Sequence, residues 1–286
     1  MAEVFGFPPT NLSLQAERYR TYKLCPYNNK VPNCTKDKAD NPLGVCSVFN
    51  GDQTAITCPI RFRQDWLIAE DAARFFFPDG TTWTSLTEVR LNDAHGKSAG
   101  NIDIVLVAYD SAGKLLDFGA LEVQAVYISG NVRRPFDYYM QDRPSRAHMD
   151  WTKEVNYPRP DYLSSSRKRL APQLLFKGGI LNAWGKKIAV ALDKGFFATL
   201  PTLQEAQPHD AEIAWLVYDL HPDDTADRYS LTQQTTIHTT FTEALEHITR
   251  PDVGDPDHFL RHLQAKLDEK LENNNPPDTE TIDLNS

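Results

Sequence analysis

The sequence predicts a mixed α/β (α+β) fold, in which a mixed sheet is flanked by helices and preceded by a small N-terminal four-cysteine module. Three observations carry that expectation. Apolar residues fall at helical spacing over 64–77, three strand-like segments follow with turn residues between them, and a helical pattern then leads into two more strand-like runs. With 286 residues and 41% hydrophobic side chains, the chain is long and apolar enough to bury a real core.

Residues 1–63 hold all four cysteines and six of the nineteen prolines, together with the turn pairs Asn28-Asn29, Asn41-Pro42 and Asn50-Gly51. Periodic apolar residues are sparse there, so a cross-link must supply what a core cannot. Over 64–77, Trp66, Leu67, Ala69, Ala73, Phe76 and Phe77 outline a helix that Pro78-Asp79-Gly80 ends. Segments 85–91, 102–109 and 115–126 predict a β-meander, the last pair joined through Asp110-Ser111-Ala112-Gly113. The unbroken run Ile104-Val105-Leu106-Val107 suits a central strand covered on both faces. A helix is expected over 167–183 with Pro172 in its first turn, then strands over 187–192 and 213–220, and a last helix over 257–271. The division expected is 1–63 for the cysteine module, 64–220 for the core, 221–272 for an extension with a helix, and 273–286 for a disordered tail.

The formal net charge of −9 argues against a nucleic-acid partner only as an average. Between Ile128 and Val190 stand twelve Lys and Arg against five Asp and Glu, a basic stretch inside an acidic chain. Met1 to Pro9 lacks a basic stretch followed by an apolar run, and no apolar segment approaches the roughly 20 residues of a membrane span. The expectation is a cytoplasmic protein with no membrane partner.

Asp103 opens the apolar strand, and Glu122 lies on the next one, in Leu121-Glu122-Val123-Gln124. Alternation puts Glu122 and Gln124 on one face. Two carboxylates converging at a sheet edge repel each other and lose solvation unless a cation sits between them, and oxygen-only ligands select a hard ion such as Mg²⁺. The bland alternative is that Asp103 caps a turn while Glu122 pairs with an arginine. Glu88, on the first strand, is either a third carboxylate of the same site or a surface residue.

The cysteines are spaced C-x8-C-x11-C-x11-C: Cys25, Cys34, Cys46 and Cys58. In a reducing compartment this favours a tetrahedral tetrathiolate site for Fe or Zn²⁺ over disulfides or free thiols. A closed shell of four thiolates leaves no open position, so its role is structural.

Leu121-Glu122-Val123-Gln124-Ala125-Val126-Tyr127-Ile128-Ser129-Gly130-Asn131 resembles the catalytic strand and following turn of the NotI-type restriction endonucleases, a group within the PD-(D/E)xK nucleases, including a glutamine where most relatives have lysine. Ile102-Asp103-Ile104-Val105 resembles their preceding strand, Lys168 to Gly178 their next helix, and the surroundings of Cys25 and Cys46 their four-cysteine iron site. The resemblance runs from about Val4 to Leu200. It implies a PD-(D/E)xK core, and a homodimer hydrolysing phosphodiester bonds in both strands of a palindromic, GC-rich double-stranded DNA site. Asp103 and Glu122 would hold catalytic Mg²⁺, with Gln124 orienting the attacking water. Asn131, Arg133, Arg134, Arg146, Arg167, Lys168 and Arg169, interleaved with tyrosines and Trp151, are the DNA-contact candidates, most of them for phosphates and some for bases. Two alternatives stay open: a defence or repair nuclease with the same core, and a noncatalytic, metal-stabilised DNA-binding protein.

Overall fold

Asp110 closes the turn inside the meander, its Oδ1 accepting the N–H groups of Ala112 and Lys114. Strand pairing follows from such turns in a computed structural model that describes all residues except 39, 151–152, 154–156, 224–226, 252 and 273–286. The expected tail and Trp151 lie outside the described residues.

The N-terminal segment contains β1 (Glu3–Val4), helix α1 (Leu14–Thr21), β2 (Asp37–Lys38), β3 (Asn41–Pro42), β4 (Val45–Asn50) and β5 (Gln53–Ile56). A 3-10 turn, Pro59–Trp66, leads into helix α2 (Leu67–Phe76). The meander is β6 (Trp83–Asn92), β7 (Ser98–Tyr109) and β8 (Leu115–Gln124). After it come β9 (Tyr127–Ser129), helix α3 (Arg133–Gln141), β10 (Arg159–Asp161), β11 (Ile188–Asp193), β12 (Ile213–Asp223) and β13 (Arg228–Thr239), then a helix Phe241–Thr249. The central sheet runs β13-β12-β11-β8-β7-β6, with β8, β11 and β12 parallel to one another and the rest antiparallel.

Side-chain alternation splits this sheet between two apolar layers. Ile104, Leu106, Leu121, Ala191 and Leu216 face α2, where Gly119 is required because a Cβ there would fall 2.4 Å from the Phe76 ring. Val105, Val107, Ala120, Val190 and Trp215 face the opposite way, onto Leu170, Leu174 and Leu181. The expectation of a sheet flanked by helices therefore holds, and so does that of a strand covered on both faces.

Three expectations need correction. The helix expected over 167–183 begins at 162, and Pro172 lies in its interior. Proline has no N–H to give, and the run is wound as π turns on either side of it, Ser166–Leu170 and Leu174–Gly178. The long basic connection is not simply irregular, since it contains α3 and the β9–β10 ladder, Tyr127 opposite Asp161. Finally, no strand was expected beyond 220, yet β13 pairs along the whole of β12.

The N-terminal segment is tied to this sheet by a buried guanidinium. Arg61 Nε donates to both oxygens of Glu3 at 3.0 and 3.1 Å, and another of its nitrogens donates to Tyr229 O at 2.9 Å on β13. Gln64 Oε1 accepts from Arg61 at 2.7 Å and from Leu231 N at 3.0 Å.

Residues 1–249 form one compact unit and 250–286 a second. The described part of the second contains the helix Pro256–Glu272, within a residue of the expected span. Among the described residues no helix is long and apolar enough to cross a membrane.

Candidate functional site

Ile104 pairs with Leu121 across the β7–β8 ladder, so the antiparallel register carries Asp103 to the position opposite Glu122. The backbone pairing stops at Ile104, and the Asp103 carboxylate takes over, Oδ2 accepting Val123 N at 2.8 Å. On the other side β11 runs parallel, Val190 beside Glu122 and Leu192 beside Gln124. Glu122 and Gln124 are both buried and face the 162–183 helical run.

That run brings two residues to the site that sequence reasoning missed. Lys177 Nζ donates to Glu122 Oε2 at 2.6 Å and to Asn101 O at 2.9 Å. Gln173 Oε1 accepts from Gln124 Nε2. Their spacing of four puts positions 173 and 177 on one helix face, but only the packing of that face across β8 brings them to the site.

Glu122 carries an unfavourable electrostatic environment for its charged form. Burial pushes its carboxyl up to about 7, and the Asp103 charge pushes the same way, against the pull of Lys177. Its second oxygen, Oε1, is buried and has no hydrogen-bond partner. A buried acceptor left bare costs about 1–3 kcal/mol, so the arrangement favours a ligand that would satisfy it. Glu88 occupies the register position facing Asp103 on β6 but is exposed, with a left-handed φ of 57° that breaks the ladder locally.

The expected DNA-contact residues divide by what already holds them. Arg133 is ion-paired with Asp37, and Arg146 lies 3.6 Å over the Tyr138 ring while donating to that residue's carbonyl. Asn131 Oδ1 accepts Arg134 N at 3.1 Å, and both residues are exposed. Arg167, Lys168 and Arg169 are exposed on the 162–183 run. Lys168 and Arg169 line one open groove with Lys97, Asn101, Gln173 and Lys177.

All four cysteines are free thiols lining a single small cavity, beside Tyr27, Lys36 and Arg61. Burial pushes Cys25 up to about 11 and Cys46 well above the usual thiol range, and the neighbouring thiols act in the same direction on both. Among the described residues no group of three or more His, Cys, Asp or Glu side chains is drawn together as a formed metal site. The thiols thus share a cavity without closing into a ligand shell.

The family model described as Restriction endonuclease NotI matches residues 10–231, more than half of the chain and well past Leu200. No curated protein matches the chain.

Proposed function

The chain belongs to the restriction endonuclease NotI family, and from that membership we propose that it is a type II restriction endonuclease cutting double-stranded DNA at a GC-rich palindromic site with Mg²⁺. The observation that carries the reading furthest is the buried Glu122 Oε1 without a partner, beside Asp103 where the β7–β8 pairing ends.

The donor set fits a hard divalent ion. Asp103 and Glu122 offer oxygens only, and a cation there would satisfy Oε1 and relieve the repulsion that raises Glu122. When bound, Mg²⁺ supplies water activation and neutralises charge on the phosphate. Asp103 holds its place through Val123 N, and Gln124, fixed by Gln173, can donate and accept hydrogen bonds to orient a water. This strand pair, with its following helix and strand, makes up the PD-(D/E)xK core of the proposal.

The DNA would run along the groove beside Lys168 and Arg169, with Asn131, Arg134 and Arg167 exposed for further contacts. Arg133 and Arg146 must leave Asp37 and Tyr138 to take part. Cleavage of both strands of a palindrome calls for a two-fold homodimer.

The four-thiol cavity fits structural Fe or Zn²⁺. Thiols that stay protonated when alone become thiolates beside a cation, and four such ligands complete a tetrahedral shell. Residues 1–63 would then be the metal module, and the nuclease core would begin at 64 and run past the expected limit of 220 to include β13.

Incubating the purified protein with phage DNA and Mg²⁺ tests the reading. Discrete fragments are expected, a smear would mean a nonspecific nuclease, and uncut but bound DNA would mean a noncatalytic binder.

A further inference from the structure

Position 124 carries an amide, so that strand position supplies the site no positive charge. The site nevertheless contains an ammonium. Lys177 stands 2.6 Å from Glu122 Oε2 with its side chain only 6% exposed, and it arrives from the helical layer instead of the sheet. We propose that Lys177 is the fixed cation of this site, directed at the scissile phosphate and its attacking water. The inference rests on the endonuclease reading above.

Burial of a lysine calls for a reason, and a packing role alone does not supply it. A pair built for stability saturates both partners, because a half-satisfied buried pair is worse than an apolar one. Here Glu122 keeps one oxygen bare. The ammonium has three donors, and its acceptors among the described residues are Glu122 Oε2 and Asn101 O. Capacity is left unused on both partners.

The backbone around Lys177 also departs from regular geometry in its favour. Lys177 lies inside the π turn Leu174–Gly178, a winding that is rare and recurs at functional sites. Gly100, at φ +116°, runs beside its stem, where a Cβ would come to 3.5 Å of Lys177 Cδ. The groove that Lys177 lines also holds Gln173, Lys97, Lys168 and Arg169, with Asp93 its one acidic lining residue, so basic side chains dominate the path a phosphate would take to it.

Charge balance gives the ammonium its function. Two carboxylates and one divalent ion cancel, leaving nothing to offset the phosphate. Lys177 supplies that missing charge from a buried position, where it acts more strongly than on the surface.

The test uses the full chain as Lys177→Met, Lys177→Arg and the double variant Lys177→Met/Gln124→Lys. Binding to phage-DNA fragments is measured across salt with Ca²⁺ in place of Mg²⁺, so that no cleavage is needed. A phosphate contact contributes about one unit to the salt slope, so Lys177→Met should lower the slope by about one, with wild-type slope in the other two variants. Single-turnover cleavage at saturating Mg²⁺ should fall about 100-fold in Lys177→Met and recover at least about tenfold in the double variant, in the range of a lost charge-stabilising donor. An unchanged slope in Lys177→Met overturns the proposal and leaves Lys177 as a counter-ion for Glu122. If Lys177→Met does not fold, the double variant, which keeps an ammonium beside Glu122, decides the matter: loss of both slope and cleavage there also overturns it. A wild-type protein that binds DNA without cutting it ends the endonuclease reading, while the salt slope still judges Lys177. One that does not bind ends both.

Discussion

Asp103 Oδ2 accepts the backbone N–H of Val123 at 2.8 Å, so the carboxylate replaces a rung of the ladder just where β7 and β8 stop pairing. One oxygen is engaged by the backbone, and the charge remains available to a cation. Substitution can separate these two roles. Asp103→Asn keeps an acceptor for Val123 and loses the charge, whereas Asp103→Ala loses both. Both variants, and Glu122→Ala, should lose more than about 100-fold in cleavage, beyond the cost of an outer-sphere partner, while DNA binding persists. Full cleavage by Asp103→Asn at ordinary Mg²⁺ would falsify the ion-site assignment.

Gln124 is expected to matter less. Its amide orients through hydrogen bonds and has no titration near neutrality, so Gln124→Ala should cost roughly 10–100-fold, the range of a positioning contact. Single-turnover rates for Gln124→Ala and Glu122→Ala at saturating Mg²⁺ make the comparison. Equal rates, with DNA and metal binding intact, would show that Gln124 does more than orient.

Cys34→Ala or Cys46→Ala should release the bound metal and lower the melting temperature, because the binding energy of a structural site is folding energy. Metal analysis of the purified protein separates Fe from Zn, and visible absorption should accompany iron. Unchanged metal content and melting in both variants would remove the tetrathiolate reading.

Asp193 sets a pH dependence of stability. It is fully buried at the end of β11, where burial raises its carboxyl to about 7 against the opposing pull of the N–H groups of Ile56 and Phe196. The folded value lies above the unfolded 3.8, so the folded state holds the proton more tightly. Stability from this group is complete below about pH 4 and is lost as pH rises through about 7, by a few kcal/mol at about 1.4 kcal/mol per pKa unit. Glu122 titrates over part of the same range, so the informative quantity is the difference between wild type and Asp193→Asn. In urea denaturation, wild type should lose ground to the variant between pH 4 and 7, and a constant difference would contradict the assignment.

The meander and the placement of Glu122 and Gln124 on one face were legible because strand alternation and turn residues are local signals. Lys177 was not, since its role depends on the π-wound helix lying across β8, a tertiary relationship with no local mark. β13 was missed for a compositional reason. Its Thr232-Gln233-Gln234-Thr235-Thr236 stretch has little apolar content, as an edge strand with partly exposed faces permits. Pro172 misled in the other direction, marking a helix start where the chain absorbs it in mid-helix.

Arg61 also bears on how the molecule comes apart. Its partners are Glu3 at the N-terminus, the 3-10 turn residue Gln64, and Tyr229 on the edge strand of the sheet, and the Tyr27 ring lies 4.2 Å beneath it. Pulling the Glu3 strand away from the 3-10 turn would leave a buried guanidinium stripped of its carboxylate, a loss of about 3–5 kcal/mol. Partial opening is therefore penalised at the hinge itself, and the cysteine segment and the sheet should unfold in one cooperative step.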